Sequence, residues 1–459
     1  MDRSVWAPER RLLTIGLVFS ITAVAFEGMA VPTVLPDTLD DLGGLALYGW
    51  AFSGFWLANL VGITLAGAES DRSGPWRPFA LGTACFAVGL LVAAFAPNMA
   101  IVVAGRIIQG LGAGATYAVT YVAVARGYPA AAQPRMIAVI SSAWVLPGLL
   151  GPAFAALLAD QLSWRWVFAA LAPLLPVVAI AMQQPLRRLA ATAAAADADR
   201  PDPPAGLVRH ARDGVVLAIG AGLLLAAPTS GQVWLGLLLA VGGLLLVRGP
   251  LTRLLPPGTL TGRPGRTAAI AAAGLLSVAF LGTEAFVPLA VASVRNAGIV
   301  FGGIALSAAA VTWSTGSWIQ ARIAAGGTRS ALVTAGFALV LVGIGLETLV
   351  PLTSVSVWLA LVAWAVAGLG MGLAYSTVTL VTLESAPPGE EGAASAALQL
   401  SNTLGIALGT GVAGGVVAVL AEGPGLAPGI GLANALMMVV CVVGIVVSLR
   451  VPTSVGSSG

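Results

Sequence analysis

IVVAGRIIQGLGAGATYAVTY, residues 101–121, sets one arginine, Arg106, in a segment that is otherwise apolar, small or weakly polar. No acid stands within helical reach of it along the chain. An arginine at the centre of a membrane helix costs roughly 2.5–3.5 kcal/mol on insertion scales, so it needs a partner or an aqueous cavity. With about 3.6 residues per turn, Arg106, Gln109, Ala113, Tyr117 and Thr120 share one face, while Ile107, Leu111 and Val119 lie elsewhere. The stretch reads as a spanning helix that turns a polar stripe towards something other than lipid.

The surrounding chain fits that reading. Of its 459 residues 58% are hydrophobic and 9% charged, and the mean hydropathy is +0.95. Such a composition cannot supply the charged surface of a soluble protein of this size. The apolar residues fall in blocks near the length that crosses about 30 Å of hydrocarbon as helix. Alternating strand-like segments are absent. An all-α polytopic membrane protein is expected, its first apolar run a helix and not a cleaved leader. Cys85 and Cys441 lie in separate apolar runs and suggest no disulfide.

Six spans are expected over residues 1–182 and six over 266–450. Between them, 183–212 has linker composition, with the run DADRPDPP. Two short apolar runs follow, and 213–249 is expected to be an extra hairpin, leaving 250–265 as a second linker and 451–459 as a tail. Arg209 and Arg212 precede the hairpin and Arg248 and Arg253 follow it, so both its ends belong on one side; two spans are favoured over none. Of the 22 basic residues, all arginine, Arg165 and Arg295 fall on the outer side and Arg106 within a span, leaving 19 inside. That asymmetry predicts that the termini, the linkers and the tail are cytoplasmic, and the membrane expected is the plasma membrane of a bacterium.

The halves echo each other. AFEGMAVPTVLP puts Glu27 five residues before Pro32, and LGTEAFVPLAVA puts Glu284 four before Pro288. Parallel repeats of this kind are built by two-bundle secondary transporters, with the solute path between bundles. A carboxyl deep in a span can take up and lose a proton as access alternates, so Glu27, Arg106 and Glu284 are the proton-coupling candidates. The alternatives are that Glu27 and Arg106 form a static ion pair, and that Glu284 touches substrate without carrying a proton. Glu347, at the outer end of its span, reads as interfacial. Candidates for a substrate cavity are Asn59, Gln109, Tyr117, Tyr121, Trp144, Trp313, Trp318, Tyr375, Gln399 and Asn402. Gly110 with Gly114 and Gly405 with Gly409 offer grooves for close helix contact. Pro147, Gly148, Gly151 and Pro152, in LPGLLGPAF, mark a kinked fifth span that could hinge or seal.

Other chemistries find no footing. The single histidine, His210, stands in the linker, no metal-ligand spacing occurs, and nothing reads as a phosphate-binding GxxxxGK. No cofactor, no nucleic-acid contact and no enzymatic role are expected.

Three motifs in order resemble those of the major facilitator superfamily, in particular its drug–proton antiporters. Gly67-x3-Asp71-Arg72-x-Gly74 is similar to the loop signature after the second span, although Pro75 and Trp76 stand where two bases are usual and the base is Arg77. Arg106-x2-Gln109-Gly110 resembles the fourth-helix motif, whose arginine is associated with proton transfer. Gly148-x2-Gly151-Pro152 resembles the exporters' fifth-helix motif, with Ala155 and Ala156 in place of its closing glycines. The hairpin resembles the extra pair of the fourteen-span subgroup. The resemblance implies a monomeric, proton-coupled exporter in contact with membrane lipid, moving small lipophilic or amphipathic, cationic compounds by alternating access. A proton-coupled importer of the same fold and an exporter of a lipid-like metabolite are the alternatives. Apart from the resemblance, Asp71 ends the second span on the cytoplasmic side, where it can face the start of the span at 392; a carboxylate near that helix N-terminus would latch the bundles in the outward-facing state.

Overall fold

The structure, a computed structural model, describes residues 5–129, 131–196, 205–323, 329–387 and 390–453. Among these the long helices are, in order, α1 (Arg11–Leu42), α2 (Tyr48–Ser73), α3 (Trp76–Ala94) and α4 (Met99–Gly127). Helix α5 runs as Gln133–Ser142 and Val145–Gln161, and α6 as Trp164–Ala169 and Leu174–Ala196. The hairpin is α7 (Ala205–Ala226) and α8 (Val233–Leu254). Helix α9 runs as Arg266–Glu284, Val287–Leu289 and a π turn over Ala290–Val294, followed by α10 (Ile299–Ile323) and α11 (Arg329–Glu347). The last three are α12 (Leu359–Glu384), α13 (Glu391–Ala421) and α14 (Leu426–Ser448). Among the described residues thirteen spans are long and apolar enough to cross a membrane. Helix α7 is the exception, because Arg209, Arg212 and Asp213 load its first half.

Glycines draw these helices together, and they do so twice in the same pattern. Gly110 and Gly114 of α4 lie flat against the Phe55 and Asn59 carbonyls of α2, so that any side chain there would collide with backbone. Gly368 and Gly372 of α12 lie in the same way against the Ala309 and Trp313 carbonyls of α10. Helices α3 and α4 interlock through Gly82, Gly89, Gly105 and Gly112, as α11 and α12 do through Gly336, Gly343 and Gly370. In lipid, close packing of this kind is the main attraction between helices, since apolar side chains gain nothing by leaving hydrocarbon. The two halves are thus one six-helix design used twice, α1–α6 and α9–α14. Gly405 and Gly409 of α13 add a further contact, on the Gly274 and Val278 carbonyls of α9.

Prolines set the breaks. Pro147 lacks an N–H and its ring crowds the carbonyl four residues back, so α5 stops at Ser142 and restarts at Val145. The carbonyl so released, that of Ala143, accepts a hydrogen bond from the Thr22 hydroxyl of α1 at 3.4 Å. Pro288 acts likewise on α9, which ends at Glu284 and resumes at Val287. In the break the buried Ala285 carbonyl accepts from the Tyr48 hydroxyl at 3.3 Å, and Tyr48 belongs to the other half.

The elements outrun the boundaries expected from composition. Helix α6 continues to Ala196, through the first part of the expected 183–212 linker. The hairpin helices occupy Ala205–Ala226 and Val233–Leu254 and so extend past 213–249 at both ends. Charged residues escaped the apolar count yet continue the helices, as at the bidentate clamp of Arg253 on Asp213 (2.8 and 2.6 Å). The run at 197–204 and the tail residues 454–459 lie outside the described residues.

Helix α7 wedges into the seam between the halves. Leu217, Ala218, Ala221 and Leu225 pack with Leu57 and Leu60 of α2 and with Leu400, Leu404 and Ala407 of α13. Helix α8 sits outside it, with Trp234 and Leu245 more than two-thirds exposed, as befits a lipid-facing helix. The hairpin therefore covers one seam from the outside. Cysteines placed singly along 214–247 should resist a water-soluble maleimide, and substrate should protect none of them. A position that labels rapidly and is shielded by substrate would put the hairpin in the solute path.

Candidate functional site

The α2–α4 contact fixes what surrounds Arg106. With α2 pressed against Gly110, the Phe55 ring lies under the guanidinium at 4.2 Å and the Ala51 carbonyl accepts from Nε at 2.9 Å. Gln109 Oε1, one turn along α4, accepts from the same guanidinium at 2.5 Å. From the middle of α1, Glu27 Oε1 pairs with it directly. Both residues are sealed, Arg106 at 2% and Glu27 at 1% exposure. Either charge alone would carry a desolvation penalty of several kcal/mol; together, with the guanidinium donating to further acceptors, they form a neutral unit that hydrocarbon tolerates. The carboxylate's other oxygen, Oε2, has no hydrogen-bond partner.

The repeat places Glu284 in the equivalent position on α9, but its neighbour differs. Arg106 stands four residues before Gly110, and Trp364 stands four before Gly368. The Trp364 indole N–H donates to Glu284 Oε2 at 3.2 Å. Its ring stacks on Phe280 (4.9 Å), which meets Trp313 edge-on (5.6 Å), and Trp313 meets Tyr375 (6.1 Å). The first half gives its acid a cation; the second gives its acid a neutral donor and a wall of rings. Glu284 also keeps partial exposure. Trp364 was absent from the sequence-based candidates. Its signal was the Trp364-x3-Gly368-x3-Gly372 spacing, which matches Arg106-x3-Gly110-x3-Gly114.

The remaining candidates divide. Tyr117 stacks on Trp144 at 6.2 Å, and Tyr117 and Tyr121 of α4 come within electrostatic reach of Tyr375 on α12. With Trp313 beside Tyr375, these side chains lie where α4 of one half approaches α12 of the other. Asn402 Oδ1 accepts from Ser277 at 2.5 Å, and Gln399 is exposed on the same helix. Three candidates stand elsewhere. Asn59 is enclosed where its own carbonyl abuts Gly114, its Nδ2 unpartnered. Gln109 is fully buried and serves the ion pair. Trp318 lies five residues from Trp313, about 140° around the helix, and is 60% exposed with Arg322 over its ring at 3.5 Å.

The halves close on each other at one end. Opposite the arginine-rich face, Tyr48 reaches Ala285 and packs on Phe286 (5.4 Å), and the backbones of Gly49 and Gly414 meet. There α5 closes on α10, with Gly303 against the Pro152 carbonyl. Gly148 faces Ala310 across the halves as Pro152 faces Gly303, whereas Gly151 faces Met29 and Phe26 of α1 and Pro147 sets the break in α5. At the arginine-rich face the ion pairs stay within one half: Asp71 with Arg126 (2.7 Å), Arg329 with Glu384 (2.5 Å) and Arg266 with Glu390 (3.7 Å). In this conformation Asp71 thus holds α2 to α4. Gly74, at φ 81°, ends α2 by donating to the Ser70 carbonyl; Gly67 has open space, Arg72 approaches Glu69 (3.9 Å) and Arg77 is exposed. No cluster of metal-ligating side chains occurs among the described residues.

A sequence model described as Major Facilitator Superfamily matches residues 17–410. The chain is 27% identical over 400 residues to a protein named as a probable multidrug-efflux transporter of Mycobacterium tuberculosis, covering 84% of this chain and 83% of that one. Multidrug resistance protein 3 of Bacillus subtilis is 27% identical over 34% of this chain and 31% of its own. Among solved structures, an auto-inhibited peptide transporter of the POT family superposes with a TM-score of 0.68 at 13% identity, covering 95% and 96% of the two chains. A bacterial homologue of the human lysosomal transporter Spinster, in an inward-facing unoccupied conformation, gives 0.62 at 14% identity and 96% of each chain.

Removing one member of a sealed ion pair strands the other. Arg106→Ala should destabilise the purified protein by about 3–5 kcal/mol, read as a lowered thermal unfolding midpoint in detergent. Adding Glu27→Gln to that variant should recover much of the loss; equal losses in the single and double variants would show that the pair does not govern stability.

Proposed function

The chain belongs to the major facilitator superfamily, and on that premise we propose that it is a proton-coupled exporter of lipophilic, cationic small molecules working by alternating access. As a transporter of that family it is no enzyme, and its relatives bear multidrug-efflux names. The observation that carries the finer reading is the inequality of the two matched acids: Glu27 on Arg106, Glu284 on Trp364.

An acid neutralised by a buried arginine is a natural coupling site. Ionised, it is held by Arg106; protonated, it releases the guanidinium and loosens the contact of α1 with α4. An acid that keeps its charge among Phe280, Trp364, Trp313 and Tyr375 is a natural cation site, since the carboxylate supplies charge and the ring faces supply cation–π attraction of about 0.5–2 kcal/mol each. The orientation follows from the excess of arginines on the open face, which marks it as cytoplasmic in a plasma membrane. The paired Glu27 then belongs to a state that has delivered its proton inside and is ready to load. Substrate would enter between the halves and be released outside, where a proton reaches Glu27 and the cycle returns.

In proteoliposomes with a pH gradient, Glu27→Gln should reduce export of a lipophilic cation to the level of protein-free vesicles. Glu284→Gln should leave coupling intact and shift preference from cations towards uncharged amphipaths. Proton-driven concentration by Glu27→Gln at the wild-type rate would remove Glu27 from the coupling role, and solute uptake driven by an inward proton gradient would overturn export.

A further inference from the structure

Glu347 takes no part in the site described above, and although it ends its span it is buried within the protein. It ends α11 at 1% exposure, and neither of its carboxyl oxygens has a hydrogen-bond partner. Gly343, one turn before it, packs on Ala363 and Ala367 of α12, so Glu347 looks into the same interior one turn nearer the sealed end. An ionised carboxylate enclosed there with no donor would carry the full cost of an unpaired buried charge.

Its surroundings supply one means of offsetting that charge. Helix α9 carries Glu284, bonded to Trp364, and Arg295, which caps its π turn. Helix α12 carries Tyr375, beside Trp313, and Glu384, paired with Arg329 at the far end. Helix α14 carries Cys441, which is buried. Arg295 is the cation at Glu347's own end of the half. Its guanidinium donates to the carbonyls of Val350 (2.5 Å), Leu352 (2.8 Å) and Val355 (2.9 Å), in the loop that begins where α11 stops. That loop is tied to Glu347 itself, whose own carbonyl accepts from the Val350 N–H at 3.0 Å. Arg295 is held by neutral acceptors alone, a short chain segment from a carboxyl with none of its hydrogen bonds made. Val291, one turn before Arg295, packs with Val350 and Ala360 over the same end of α11.

We propose that Glu347 is a second proton-carrying site, occupied while Arg295 clasps the 350–355 loop and emptied when that loop yields Arg295 to the carboxylate. The guanidinium would exchange three carbonyl hydrogen bonds for an ion pair, and the proton would leave through the end now sealed by Tyr48 and Phe286. Glu347 and Arg295 would then stand to the second half as Glu27 and Arg106 stand to the first, one pair open while the other is closed. The inference rests on the proton-coupled reading for its role in transport, but not for the protonation itself.

Infrared spectra of the full-length protein at neutral pH test the protonation. The wild type should show a C=O stretch of a buried, protonated carboxyl that is missing from Glu347→Gln and retained in Glu27→Gln. Identical bands in wild type and Glu347→Gln would overturn the proposal, whatever Glu27→Gln does to transport. If the amide does not fold, Glu347→Asp keeps the carboxyl and should displace the band instead. In proteoliposomes, Glu347→Gln should move one proton fewer per substrate, and Arg295→Gln should keep the band through the whole cycle. An unchanged proton-to-substrate ratio in a folded Glu347→Gln would likewise sink it.

Discussion

A buried guanidinium in hydrocarbon cannot be left without a counter-charge, and the first half of this protein is arranged around that constraint. Arg106 sets where α1 must lie, because among the described residues Glu27 is the one that brings a carboxylate to it. It also sets how near α2 must come, because the Ala51 carbonyl and the Phe55 ring complete its surroundings. That approach is possible only because Gly110 and Gly114 leave room for backbone against backbone. The glycines are thus part of the electrostatics, since they bring the acceptors within reach.

The second half keeps the frame and changes the charge. Gly368 and Gly372 bring α12 onto α10 as their counterparts bring α4 onto α2, and the residue four before the first glycine again reaches the acid of the half's opening helix. With an indole there instead of a guanidinium, the acid is held but not neutralised. Duplicated packing thus holds two matched acids in unequal surroundings, one beside a cation and the other beside a neutral donor. It depends on helix contacts being decided by small residues, which leaves the polar positions free to diverge.

The proline breaks in α5 and α9 each present a carbonyl that a side chain takes up. Within the first half Thr22 takes the one that Pro147 releases, and across the interface Tyr48 donates to the Ala285 carbonyl in the break before Pro288. In a membrane such carbonyls must be satisfied within the protein, so each break commits the chain to a contact. Contacts of this kind are few and directional, and they can be made at one end of the bundles and given up at the other. Those at the sealed end join the halves, whereas the ion pairs of Asp71, Arg329 and Arg266 at the open end bind each half to itself.

Much of this was determined by the sequence alone. Runs of apolar residues, the one-sided arginines and the paired Glu–Pro helices specify spans, a duplicated plan and three sites of buried charge, because the cost of charge in hydrocarbon acts on every residue separately. Element ends were less legible: α6 and the hairpin run past their apolar cores, since helices continue wherever charged side chains find partners such as Asp213 for Arg253. Which polar residues face the cavity belonged to the tertiary structure. Asn59 and Trp318 have the right chemistry, but the packing of α2 on α4 encloses the first and the rotation of α10 turns the second away. Only the fold showed that Glu284 answers to Trp364 and that Glu347, at a helix end, is sealed without a partner. Partners distant in sequence are chosen by the register of helix against helix, and that register is set by backbone contacts that no local pattern of residues reveals.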